Sequence, residues 1–242
     1  IISKRFVFHL HMVEVVAELI NNSTGLINKL KEHQLHAEIV SYCKPGEELA
    51  SAVNRVINNH PNCDLLCLLN HGVVLFSDNI NDIESQIALL QKICHKEKLN
   101  INESSQCLFH KRIENTNYEL MANSQINNLV LDNDIYSKLD QLWPICPDHL
   151  VFLGPNPYLY DSADLFQQQL NQSFKPPLIF IRNQGVYINK EIFTNMHFIQ
   201  LQCFSDILLR LDGFDNILVI PEDEIQKLLN WDAEKYRQQM NY

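Results

Sequence analysis

His9-Leu10-His11 closes the apolar run Phe6-Val7-Phe8, and His71 closes another in Leu68-Leu69-Asn70-His71-Gly72. A neutral imidazole nitrogen is the side-chain ligand most often offered to a transition metal. Alternate side chains of a strand share a face. On a strand, His9 and His11 therefore project together while Leu10 points away. With a third imidazole from a turn at the end of a second strand, three positions around a metal ion are filled. The fourth stays open for substrate, as in catalytic zinc sites. A lone histidine is ordinarily structural. Two on one face are costly to bury without a partner, and that points to metal.

These side chains need strands and a turn to hold them. Arg5 to Met12 reads as a strand, and Val13 to Ile20 shifts to helical spacing. Glu14 and Glu18, one turn apart, read as solvated residues of that helix. Ser23-Thr24 is placed to cap a further helix through about His33. His36 to Tyr42 alternates like a short strand. Pro45-Gly46-Glu47-Glu48 opens a helix, with its acidic pair at the positive end of the helix dipole. Asp64 to Asn70 is a buried strand, His71-Gly72 its turn, and Val73 to Phe76 the return strand. Asp78 caps a long helix to about Lys98.

The stretch from Leu99 to Gln125 is polar and weakly patterned, and Ile126 to Leu142 is helical in part. Trp143 to His149 forms a turn into a strand at Leu150-Val151-Phe152-Leu153. Asp164 to Phe174 is helical, Pro177 to Arg182 a strand, and Val186 to Ile188 its return. Helices follow over Glu191–Leu211, Glu222–Leu229 and Trp231–Gln239. Strand, Asn-x-Gly-Val turn, strand, helix thus occurs twice, at Asn70-His71-Gly72-Val73 and at Asn183-Gln184-Gly185-Val186. Gln184 stands where His71 stands. Either the architecture repeats without the ligand, or a favoured hairpin turn recurs by chance.

Composition narrows the classes. The 242 residues are 46% hydrophobic, ample for a core in one large domain or two small ones. A net charge of −10 with scattered Lys and Arg argues against nucleic acid. No apolar run reaches the roughly 20 residues of a membrane helix. The first residues lack the apolar core of a signal peptide. Seven cysteines without tight spacing, with Cys67 and Cys94 in apolar segments, suit a reducing cytoplasm. Cys63 and Cys67 lie four apart, on a strand where they would share a face; the second pair of a zinc ribbon is absent. Only six glycines occur, and Gly46, Gly72, Gly154 and Gly185 fall at predicted turns. No Gly-rich phosphate loop is present.

Two metalloprotein classes share the H-x-H pair. Cupins add a Glu a few residues on, which Glu14 or Glu18 would supply, but their strand does not run straight into a helix. Amidohydrolases need a longer, regularly alternating barrel. The wider pattern resembles the class II aldolase/adducin family. The matching pieces are Val7-Phe8-His9-Leu10-His11-Met12, then Tyr42-Cys43-Lys44-Pro45-Gly46-Glu47-Glu48-Leu49-Ala50, then Asp64 to Gly72 with its Asn-His-Gly. A weaker likeness in Pro147-Asp148-His149, the Gly185 hairpin and Asn230 to Arg237 is to the aldolase domains of bifunctional rhamnulose-phosphate aldolase/dehydrogenase proteins.

The resemblance implies a three-layer α/β/α fold around a largely antiparallel central sheet. Residues 1–98 would be its metal-binding part and 99–242 its continuation. It implies Zn²⁺ or another divalent ion on His9, His11 and His71, a homotetramer, and a sugar or sugar-phosphate substrate. The reaction implied is C–C cleavage through a metal-stabilised enediolate. Epimerases and a dehydratase in the same superfamily share the ligands, and adducin-like members assemble without catalysis. Family enzymes carry phosphate-binding turns and a catalytic Glu ahead of the H-x-H strand. Here eight residues precede His9 and none is acidic, so the catalytic residue is not assigned from this chain. Asp148-His149 either reaches the site or is a turn-capping Asp beside a surface His. Tyr158 and Tyr160 line a cleft or cover a sheet edge, and Trp231 with Tyr236 packs as a helix.

Overall fold

The computed structural model describes residues 2–99, 110–170 and 174–230. The H-x-H segment forms β1 (Phe6–Leu10), which passes at once into α1 (Val13–Glu32). There follow β2 (Ala37–Val40), α2 (Glu47–Asn59), β3 (Leu65–Leu68), β4 (Gly72–Ser77) and α3 (Ile80–Cys94). The four strands make one sheet in the order β1-β4-β3-β2. β4 lies antiparallel between β1 and β3, and β2 runs parallel to β3. Strand alternation sorts the core. Leu65 and Cys67 of β3 face Val15, Leu19 and Leu30 of α1 and Leu90 of α3. Leu66 and Leu68 face Val53 of α2. Helices thus cover both faces of the sheet.

A second unit follows: β5 (Tyr118–Leu120), α4 (Ser124–Leu131), α5 (Asn133–Lys138), α6 (Pro147–Leu153), β6 (Leu159–Tyr160), α7 (Ala163–Gln169), β7 (Leu178–Ile181), β8 (Gly185–Asn189) and α8 (Asn195–Leu208). Its sheet has the order β5-β8-β7-β6, again with two antiparallel pairings and one parallel. α9 (Glu222–Leu229) ends the described chain. The two Asn-x-Gly turns therefore occupy the same place in two sheets of the same strand order. Leu68 pairs with Gly72 and Ile181 with Gly185. Asn70 and Asn183 take φ of 56° and 55°, the left-handed region that asparagine tolerates. Both motifs thus sit at the same point of the same architecture. The chain is mixed α/β, and among the described residues two four-stranded sheets replace the single central sheet expected.

α1 joins the units because it is apolar on two sides. Val15, Leu19, Leu26 and Leu30 serve the first sheet. Val16, Ala17 and Ile20 enter a larger cluster with Trp143, Leu201 and Phe204 of the second unit. This sandwiching corrects the reading of Glu14 and Glu18 as solvated. Glu18 is buried, with Lys96 Nζ at 2.7 Å and Lys29 Nζ at 3.7 Å, and Glu14 pairs with Arg210 at 3.3 Å. A helix face that looks polar in sequence is here covered by another part of the chain, so its charges are paired.

Local expectations fare unevenly. The helix start at Pro45-Gly46 holds. The break in α1 holds too, but Asn22 makes it, with φ −153° and its Oδ1 accepting from Gly25 N–H at 2.9 Å. Asn79 rather than Asp78 caps α3; Asp78 instead accepts from the Arg5 backbone N–H and the Lys4 side chain. Leu150 to Leu153 belongs to α6 and is not a strand. Pro147 starts that helix and the run is buried all round, the case in which periodicity cannot separate helix from strand. Cys63 lies before β3 and faces α2, whereas Cys67 faces the other side. Tyr160 is buried on β6, at the edge of its sheet. Within Leu99 to Gln125, residues 118–120 form β5, and 100–109 lie outside the described residues, as does Trp231 to Gln239.

Candidate metal centre

The three predicted ligands meet. Their ring centroids form a near-equilateral triangle: His9–His11 4.8 Å, His9–His71 4.8 Å and His11–His71 4.9 Å. One ligating nitrogen from each lies within 4.8 Å of the other two, and no other such group of His, Cys, Asp and Glu occurs among the described residues. β1 supplies His9, the residue after its end supplies His11, and the β3–β4 turn supplies His71. β1 pairs directly with β4, with His9 opposite Val74 and Leu10 opposite Val73, which brings the turn beside the pair.

Gly72 makes this approach possible. A Cβ there would lie 2.3 Å from the Leu10 carbonyl oxygen, and its φ is +158°. Asn70, buried in the same turn, donates its amide to the carbonyls of Ile145 at 3.0 Å and Leu218 at 2.8 Å. The turn that carries His71 is thus held by the second unit.

Hydrogen bonding assigns the ring proton of His9. His9 Nδ1 lies 3.1 Å from the Val73 carbonyl, which only accepts, so Nδ1 carries the hydrogen and Nε2 is bare. His11 Nδ1 faces the Asp148 carboxylate at 3.5 Å. A proton on that nitrogen leaves His11 Nε2 bare as well. The two Nε2 atoms are 3.0 Å apart. Two lone pairs in opposition repel, and either a proton or a cation between them relieves it. In a tetrahedral zinc site with bonds of about 2.0–2.1 Å, ligand nitrogens sit about 3.3 Å apart, so little ring movement is required. Burial holds the pKa of His9 below its ordinary value, helped by the neighbouring charge of His11 and opposed by the Val73 carbonyl and Asp148. The neutral form so favoured is the ligating one. By donor chemistry and spacing, the three residues fit a divalent transition metal.

His9 and His11 are exposed at one side of the cluster, while His71 is 8% exposed and backs it. Asp148 reaches the cluster, but His149 is not on the surface. Its ring is fully buried, edge-on to Phe204 at 5.4 Å, with neither nitrogen bonded among the described residues. Sequence signals placed Asp148 in a turn leading into a strand, whereas it lies in the first turn of α6. None linked it to His11, because that proximity comes from how the units pack. Among the described residues no helix is long and apolar enough to cross a membrane. Comparison with known protein families, curated proteins and solved structures finds no match.

Proposed function

We propose that the chain is a divalent-metal lyase of the class II aldolase/adducin kind, cleaving a C–C bond in a sugar or sugar-phosphate. The observation that carries the reading is the triangle of His9, His11 and His71, with the bare Nε2 of His9 fixed by the Val73 carbonyl. Three neutral imidazoles leave the net charge of a bound ion undiminished, which suits Lewis-acid chemistry better than structural storage. A bound divalent ion would supply polarisation of adjacent hydroxyl and carbonyl oxygens of the substrate. The residues do the rest: His71 anchors the buried side, and His9 and His11 leave the solvent side open to a polar ligand. The net charge of −10 sets no general attraction for a phosphate, so any phosphate preference has to come from local groups.

Metal analysis after exhaustive dialysis, followed by an aldol-cleavage screen over ketose and ketose-phosphate substrates, tests the reading. One equivalent of metal and retro-aldol products are expected. A protein that retains no metal, and binds none when zinc is restored, sinks it.

A further inference from the structure

The second unit lacks the matching histidines, yet one of its carboxylates reaches the cluster. We propose that Asp148, from α6 of that unit, is the positioning residue for His11, forming a carboxylate–histidine–metal relay across the two units. The inference rests on the metal reading above. Its observations are separate.

Asp148 Oδ2 faces His11 Nδ1, the nitrogen turned away from His9, at 3.5 Å. The Asp148 carboxylate is not among the groups whose ligand atoms cluster within 4.8 Å. It therefore stands behind the ring as an orienting acceptor rather than beside it as a fourth ligand. The Asp148 side chain is 16% exposed and that of His11 39%, so water screens the pair in part. Histidine ligands commonly donate their second ring nitrogen to a carboxylate or a backbone carbonyl, which fixes the tautomer and raises ligand basicity. Here each exposed ligand has one such partner: the Val73 carbonyl for His9 and Asp148 for His11.

The helix that carries Asp148 is built to hold still. Pro147 occupies its first turn. His149, the next residue, is fully buried against Phe204 of α8, and Leu150 packs with Ile220, Ile225 and Leu228 around α9. Asp148 is the acidic residue of a helix otherwise wholly buried. The present separation is about 0.7 Å longer than a charge-assisted N–H···O⁻ bond of about 2.8 Å, a gap that a small ring rotation closes.

The test compares zinc affinity, by competition with a chromophoric chelator at one pH, in the wild type, Asp148→Ala and Asp148→Asn. It adds ¹⁵N spectra of the histidine rings in the zinc-loaded protein. Loss of the carboxylate is expected to weaken zinc binding about 10–100-fold. Asn, whose carbonyl oxygen still accepts, should recover part of that loss. His11 should carry its proton on Nδ1 in the loaded wild type. Zinc affinity within threefold of wild type in Asp148→Ala overturns the relay, as does a His11 protonated on Nε2. If the alanine variant does not fold without metal, Asp148→Asn and the wild-type tautomer decide. A wild type that binds no zinc overturns the metal reading and the relay together; binding by the wild type with no effect of Asp148 overturns the relay alone.

Discussion

The two units of this chain share a strand order, a hairpin and a turn conformation, yet among the described residues only one gathers histidines. Leu10 stands opposite Val73 in the first sheet, and Met121 donates to the Val186 carbonyl at the matching place in the second. By that register Leu120, Ala122 and Gln184 occupy the positions of His9, His11 and His71. Leu120 fills the hollow: a Cβ on Gly185 would meet its Cδ1 at 2.2 Å, where a Cβ on Gly72 meets backbone. Asn127 then ties the second hairpin to its own strand, accepting from Val186 N–H and donating to the Met121 carbonyl, both at 2.9 Å. The lesson is that this hairpin is a mount. On the proposed metal reading, whether it carries a ligand depends on three side chains, and how well the ligand is held depends on what the other unit presses against it.

The comparison breaks most sharply on the ligands. His71→Ala is expected to weaken zinc binding by more than about 100-fold, whereas Gln184→Ala should leave it unchanged; both are read by titration against a chelator. Equal behaviour of the two would dissolve the distinction between the units. Grafting histidines at Leu120, Ala122 and Gln184 sharpens it from the other side. If the mount suffices, the triple variant takes up a second equivalent of metal after dialysis, more weakly than the first.

The glycines give a smaller contrast. Gly72→Ala should cost about 3 kcal/mol or more in chemical denaturation, because its Cβ meets the Leu10 carbonyl. Gly185→Ala should cost about 1–2 kcal/mol, because the obstacle is the movable end of Leu120.

The last effect is graded, a slope in pH. Burial lowers the His149 pKa to about 3, so the folded protein keeps this ring neutral while the unfolded chain protonates it below about 6.5. The unfolded state therefore binds the extra proton between those values. Stability from this group is fully present above pH 6.5 and is lost as pH falls toward 3, by up to about 1.4 kcal/mol per pH unit. His149→Phe should flatten that slope in urea titrations between pH 4.5 and 6.5. An unchanged slope would mean that His149 is not held neutral in the fold.

Much of the first unit was legible in the sequence because its signals are local. The period-two spacing of His9 and His11, the Pro-Gly helix start and the Asn-His-Gly turn each depend on a few neighbouring residues; the helix start and the turn form as read, while β1 ends at Leu10, one residue short of His11. The second unit was harder. β5 is three residues long inside a polar stretch, and the buried run Leu150 to Leu153 carries no period that separates helix from strand. Glu18 was misread for another reason: its neighbours in sequence say nothing of Lys96, which arrives from the far end of α3.

The sequence by itself determined which residues could bind metal and which turns would present them, since side-chain chemistry and backbone freedom belong to each residue and its near neighbours. Only the tertiary structure decided that the three rings converge, that Glu18 is buried, and that a carboxylate from the second unit stands behind His11. Those facts depend on the pairing of β1 with β4 and on the two-sided packing of α1, and contacts between distant segments are selected by the burial of the whole core rather than by any local pattern.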